Sequence, residues 1–224
     1  MADQERALIV GAGSGLSASL ARLFAKQGMA VALAARDVGK LTALAKETKA
    51  RTHALDASDA GAVATLFAAL DREMGPLDIV VYNASGRVRG PFAELDAAAV
   101  EKAIAVTAYG GFLVGQQAAR RMLERGRGSI FFTGASASVK GYAQSAPFAM
   151  GKFALRGLAQ SMARELAPKG IHVGHFVIDG SIGRDPAGDR LRLVVRRRGR
   201  GLPARRRRDR QARPLHLRRR RAGL

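Results

Sequence analysis

The chain has 224 residues, no cysteine and a formal net charge of +20. That length suits one domain with a full core, and the lack of cysteine excludes disulfides and thiolate metal sites. The charge is uneven: residues 184–224 hold 17 arginines, no lysine and three aspartates, a net of +14, whereas residues 1–183 are only mildly basic at +6.

In chain order, strands are expected over residues 6–10, 30–35, 51–55, 78–82, 129–133 and 172–178. Helices are expected over 16–27, 39–49, 60–74, 97–124 and 145–167. Several strand runs are apolar almost throughout, the mark of a parallel sheet covered on both faces. Repeated strand–helix alternation over residues 1–183 predicts one doubly wound α/β domain, Rossmann-like, with right-handed crossovers. Ligands of such sheets bind beyond the carboxyl ends of the strands, so the residues just after each strand carry the information.

The first apolar run, Ala7-Leu8-Ile9-Val10, is followed by Gly11-Ala12-Gly13-Ser14-Gly15-Leu16, and a helical pattern opens at Leu16. Strand, glycine turn and helix in that order make a dinucleotide phosphate site. The glycines bring backbone N–H groups close to a pyrophosphate and the helix N-terminus adds favourable partial charge. The strict G-x-G-x-x-G fingerprint fails, because Leu16 stands at its last glycine; Gly11-x3-Gly15 fits another version of the turn. Arg36 follows the second strand, where an acid would favour the ribose diol of NAD. Its cationic fork suits a 2′-phosphate and hence NADP rather than NAD, unless it is simply a solvated charge. Asp56, beside Ala57, follows the third strand and can accept from the adenine amino group. Asn83-Ala84-Ser85-Gly86 follows the fourth strand and offers a small-residue edge to a nucleotide. Thr133-Gly134-Ala135-Ser136 follows the fifth, and Asp179-Gly180-Ser181-Ile182 follows the sixth.

Together these residues resemble the short-chain dehydrogenase/reductase family over about residues 1–183. Val10-Gly11-Ala12-Gly13-Ser14-Gly15-Leu16-Ser17 is similar to its T-G-x3-G-x-G, Tyr82-Asn83-Ala84-Ser85 to its N-N-A-G, and Asp179-Gly180-Ser181-Ile182 to its P-G-x-I. Arg36-Asp37 with Lys40 and Leu41 resembles its NADP-preferring branch. The resemblance implies a seven-stranded parallel sheet and hydride transfer between a nicotinamide and a small carbonyl or alcohol. It implies pyrophosphate at Gly11, Gly13, Ser14, Gly15 and Leu16, adenine at Asp56 and Ala57, and the adenosine ribose at Asn83 and Ala84. The nicotinamide ribose falls to Lys152 and the carboxamide to Ile182.

The family's catalytic pattern is kept only in part. Its Y-x3-K places a proton-transferring phenol one turn before a lysine that lowers its pKa. Here Lys152 is present, but the earlier position is Phe148. The family's serine position is Ala135, with Ser136 next to it, and its asparagine aligns with Thr107. Lys152 and Ser136 are the catalytic candidates, with Ser138, Tyr142 and Ser145 as further replacement donors; Lys152 serving only as a ribose anchor is the competing reading. A non-catalytic NADP-binding protein is accordingly the alternative to the oxidoreductase. No metal site is expected: His172 and His175, the only close pair, fall on opposite faces of a strand.

Residues 184–224 contain Arg runs at 196–198, 205–208 and 218–221 without apolar periodicity. Disorder is expected there, as is loss of the family's last strand. The segment reads either as a nucleic-acid-binding arm or as GC-rich coding DNA translated out of frame. Homo-oligomerisation is expected through the two long helices, which carry apolar residues on more than one stripe, including Ala118, Ala119, Met122, Leu155, Leu158, Ala159 and Met162. No apolar run reaches the roughly 18 residues of a membrane span, and residues 1–6 do not read as a signal peptide. No membrane association and a cytoplasmic location are therefore expected.

Overall fold

The computed structural model describes residues 4–184 and 191–194. Six strands form one wholly parallel sheet: β1 (Arg6–Val10), β2 (Ala30–Ala35), β3 (Arg51–Ala54), β4 (Ile79–Tyr82), β5 (Gly128–Thr133) and β6 (Ile171–Phe176), in the order β3-β2-β1-β4-β5-β6. The helices are α1 (Leu16–Lys26), α2 (Thr42–Thr48), α3 (Ala60–Glu73), α4 (Ala97–Ile104), α5 (Gly110–Arg125) and α6 (Ala146–Leu166). This is the doubly wound α/β architecture expected from the apolar runs. Ala7, Leu8, Ile9 and Val10 in the central β1 are all essentially inaccessible, because helices cover both sheet faces.

Side chains alternate along β1 to feed two cores. Leu8 and Val10 join Phe67 and Leu70 of α3, Val114 and Met122 of α5 and Leu155 of α6. Ile9 joins Ala18 and Ala21 of α1 and Leu44 of α2 on the other face. The strand order reverses between β1 and β4. The chain leaves the sheet in opposite directions there, and a crevice opens above the strand ends.

Helix ends follow local chemistry. Asp59 caps α3 by accepting from Ala62 N–H at 2.9 Å, and Asp96 caps α4 by accepting from Ala99 N–H at 2.8 Å. Gly126, with φ 64°, closes α5. By contrast α1 has no side-chain cap and no acid in its first turn.

Several boundaries differ from expectation. The helix expected over 39–49 is a 3₁₀ turn, Gly39–Leu41, running into α2. The helix expected over 97–124 contains a π-helical segment, Ala105–Tyr109, between α4 and α5. Short 3₁₀ turns at Phe92–Glu94 and Ser136–Ser138 were not legible. The stretch Ala97–Arg125 is long and apolar enough, by length and composition alone, to cross a membrane. Glu101 and Lys102 break its apolar run without making its average polar. In this fold it lays Leu113, Val114, Ala118 and Met122 on the sheet.

β7 (Ser181–Arg184) and β8 (Leu191–Val194) pair antiparallel as a separate ribbon. Residues 191–194, within the segment expected to be disordered, thus form a strand. The sheet's described strands number six, and the remainder of the Arg-rich segment lies outside the described residues.

Candidate functional site

The glycine turn is fixed by its neighbours. Gly11 has φ +79°, and a Cβ there would lie 2.3 Å from Ala84 N, so only glycine lets the β1 and β4 ends approach so closely. Gly11 N–H and Ala12 N–H both donate to Ala34 O, at 2.9 and 3.0 Å. Ser17 Oγ donates to Gly11 O at 3.1 Å, and Asn83 Nδ2 donates to Ser17 Oγ at 2.8 Å and to Gly11 O at 3.2 Å. Ser17, at the family's last glycine position, thus joins a small hydrogen-bonded lock. Asn83, expected at the adenosine ribose, spends its amide donor on holding the turn.

Two cavities lie along the strand ends and meet at Ser85. The first, about 550 Å³, is lined by Gly11, Ala12, Gly13, Ser14, Arg36, Asp37, Lys40, Asp56, Ala57 and Ala84, among others. A Cβ on Gly13 would meet nothing within 4 Å, so the backbone is open to a ligand. The uncapped first turn of α1 leaves N–H groups for an anion, whereas α3 and α4 satisfy theirs with aspartates. These features fit a dinucleotide pyrophosphate. Arg36 stands exposed at the cavity wall. Lys40, which also lines it, is tied to Asp37 at 3.1 Å, and that partner lowers the Asp37 pKa. Asp56 accepts from Ser58 Oγ at 2.6 Å and Ser58 N–H at 3.0 Å. These bonds, with Arg36 further off, hold its carboxyl below the usual range.

The second cavity, about 280 Å³, is lined by Leu16, Asn83, Ser85, Arg87, Thr133, Gly134, Ala135, Phe148, Lys152, Ile178 and Gly180. Lys152 is 3% exposed, and its Nζ donates to Thr133 O at 2.6 Å. Burial, reinforced by the Arg87 charge, pushes its pKa down to about 8. Phe148 stands beside it, with the Lys152 Nζ 5.8 Å and the Arg87 Cζ 4.3 Å from the ring centroid.

None of the proposed replacement hydroxyls lines this cavity. Ala135 does so in extended conformation, and the chain turns away at Ser136, whose N–H donates to Ile178 O. Ser136 is thus not brought to the cavity with Lys152. Ser138 is fully buried, and its Oγ accepts from Ala135 N–H at 3.1 Å. Ser145 is buried at the start of α6, and Tyr142 lies exposed near Lys140. Thr107 does not line the cavity either; it is fully buried and its Oγ1 accepts from Gly86 N–H at 2.9 Å. Ile182 lies on β7; its side chain is outside the described ones.

The π segment explains how α6 comes so near. Within it Val106 O accepts from the buried Tyr82 hydroxyl. A Cβ on Gly151 would lie 2.8 Å from Thr107 Cβ, and one on Gly86 2.4 Å from Ala103 Cα. Two glycines therefore bring the Lys152 helix and the loop after β4 flush against this kink. Arg87 escaped the sequence reading; its only signal was a cation directly after Asn83-Ala84-Ser85-Gly86, at the carboxyl edge of the sheet. His175, on the strand face opposite His172, lies behind Gly134 with Nε2 3.5 Å from Ser138 Oγ. Burial, then the Lys152 and Arg156 charges, lower its pKa.

A doubly wound sheet with an open glycine turn at its switch point defines a dinucleotide-binding fold. The chain belongs to the short chain dehydrogenase family, whose model matches residues 5–179, a family of oxidoreductases. It is 32% identical over 173 residues to gluconate 5-dehydrogenase of Gluconobacter oxydans (strain 621H), covering 75% of this chain and 68% of that protein. An actinorhodin polyketide ketoreductase variant solved with NADPH superposes with a TM-score of 0.75 at 30% identity, over 77% of this chain and 69% of the other. An NAD+-bound xylitol dehydrogenase superposes with a TM-score of 0.73 at 26% identity, over 76% and 68% of the two chains.

Proposed function

We propose that this protein is an NADP-dependent oxidoreductase that interconverts a small carbonyl compound and its alcohol, with Lys152 as the proton-exchanging group. The carrying observation is the second cavity: of its lining side chains, Lys152 alone gains or loses a proton near neutral pH. Bound NADPH would supply a hydride to the carbonyl carbon. Gly13, Ser14 and the first turn of α1 would hold its pyrophosphate, Arg36 its 2′-phosphate and Asp56 its adenine. Lys152 Nζ–H would donate a proton to the substrate oxygen and be left as a neutral amine, still within reach of Thr133 O. Bulk water then reprotonates it, and oxidation of the alcohol runs the same steps backwards.

The test is NADPH binding by fluorescence, followed by substrate-dependent NADPH oxidation over a carbonyl panel. Binding with turnover that Lys152→Ala removes is expected. A second reading, a non-catalytic NADP-binding protein, is favoured by Phe148 and Ala135, which line the cavity where the family has a phenol and a hydroxyl. It predicts binding without turnover, and activity gained on Phe148→Tyr with Ala135→Ser.

The reading is of a cytoplasmic homodimer. Of the apolar residues read on the two long helices, Ala118, Met122, Leu155 and Ala159 are buried in the protomer's own core, with Ala119, Leu158 and Met162 packed against it. The reason is that both helices lie on the sheet. The large apolar side chains exposed along these helices are Tyr109, Phe112, Leu123, Met150 and Phe153; Tyr109 and Phe112 stack at 6.1 Å. A monomeric mass in light scattering at micromolar concentration would remove the dimer. Nucleic-acid binding by the Arg-rich segment stays a proposal: affinity for DNA that falls steeply with salt would support it, and coding DNA with no other apolar-periodic open frame beyond Ile182 would separate it from an out-of-frame segment.

A further inference from the structure

The two cavities differ in the sign of their charge. The first mixes Arg36 and Lys40 with Asp37 and Asp56; the second is lined by Arg87 and Lys152 and by no carboxylate. Arg156 and His175 lie just behind it and add no acid. Among the described residues Arg87 has no ion-pair partner; its guanidinium rests on the Phe148 ring instead. Two cations held together over one ring repel each other, an arrangement relieved when an anion enters between them.

Arg87 is exposed at the cavity edge, but the backbone that carries it is held. It directly follows Gly86, whose N–H is held by Thr107 and whose missing Cβ lets the loop lie on α4. An aromatic face beneath a guanidinium orients its planar fork, which matches a carboxylate through two parallel N–H···O bonds. The cofactor's own phosphates have other donors: the open first turn of α1 and Arg36 belong to the first cavity, and Arg87 lines only the second.

We propose that Arg87 binds the carboxylate of the substrate, so that the protein acts on small oxo acids and the corresponding hydroxy acids. The proposal rests on the reading that the second cavity takes the substrate carbonyl at Lys152. Phe148 then has a use of its own, as the aromatic platform beneath Arg87. The cavity's small size, shared with a nicotinamide ring, favours compact acids over long-chain ones.

The test is calorimetric titration of the full chain, with and without saturating NADPH, using oxamate and its neutral counterpart oxamide. Oxamate is expected to bind and oxamide not to. Arg87→Gln should weaken oxamate about 10- to 100-fold, Arg87→Lys by an intermediate factor, and both should leave NADPH affinity as it was. Equal binding of the two probes, or no oxamate binding by protein that binds NADPH, would overturn the proposal. Loss of NADPH affinity in Arg87→Gln with oxamate affinity kept would overturn it too, assigning Arg87 to the cofactor. A chain that binds oxamate through Arg87 but turns over no oxo acid would instead sink the catalytic reading and leave the anion site standing.

Discussion

The two halves of the cleft have kept different things. The half around Gly11, Arg36 and Asp56 retains the glycine turn, the uncapped helix and the polar side chains expected after β1, β2 and β3. The half around Lys152 has exchanged phenol, serine and asparagine positions for Phe148, Ala135 and Thr107, while keeping the lysine buried. The first half works largely through backbone shape, which a fold carries with it. The second works through a few side-chain atoms, which can change while the sheet stays the same. The proposed hold on a dinucleotide and the proposed chemistry on it thus rest on different residues, and each half can be attacked alone.

The largest expected effect is on the second half. Lys152→Met should lower kcat/KM about 10²–10⁴-fold with NADPH still bound. A loss seen in NADPH affinity while kcat survives would make Lys152 a ribose anchor and shift the contrast towards binding. Next is Gly11→Ala. A left-handed backbone at φ +79° and overlap with Ala84 N should cost about 2–6 kcal/mol, read as a lowered midpoint in urea. A wild-type midpoint would mean that the β1–β4 approach is slack. Arg36→Ala should be milder, weakening NADPH about 10- to 100-fold and leaving NADH unchanged. Equal loss for both cofactors would show that Arg36 reads no 2′-phosphate.

The sheet was legible because periodicity and apolar runs are local signals. β1 and β2 begin and end where the runs do, and Gly11 to Leu16 marks the turn between strand and helix. What escaped was set by contact across the fold. The π segment within 97–124 depends on Tyr82 and Gly86 taking up groups that no helix pattern announces. The bonds of Asn83 to Ser17 and Gly11, residues 66 and 72 positions away, likewise have no local signal. Ser136 looked like a stand-in for its neighbour because adjacency in sequence hides the turn that separates Ala135 from it. Arg87 was overlooked because a lone cation in a loop is ordinary until an aromatic ring lies beneath it.

Burying Lys152 also ties the molecule's cohesion to alkalinity. The ammonium loses its proton near pH 8 in the folded chain and near 10.5 when unfolded. Below about pH 8 the charge is carried in both states and the folded one bears the whole burden. Between those values the unfolded chain holds more protons, so this group makes folding more favourable as pH rises, by about 3 kcal/mol across the interval. Lys152→Met removes the burden at every pH. Its advantage in urea stability over the parent should be widest at neutral pH and shrink towards pH 10.5. A constant gap would mean that the ammonium is solvated in the native protein. At neutral pH, then, the ammonium proposed to give up the proton is carried at a cost to the fold, and Lys152→Met would exchange that proposed role for stability.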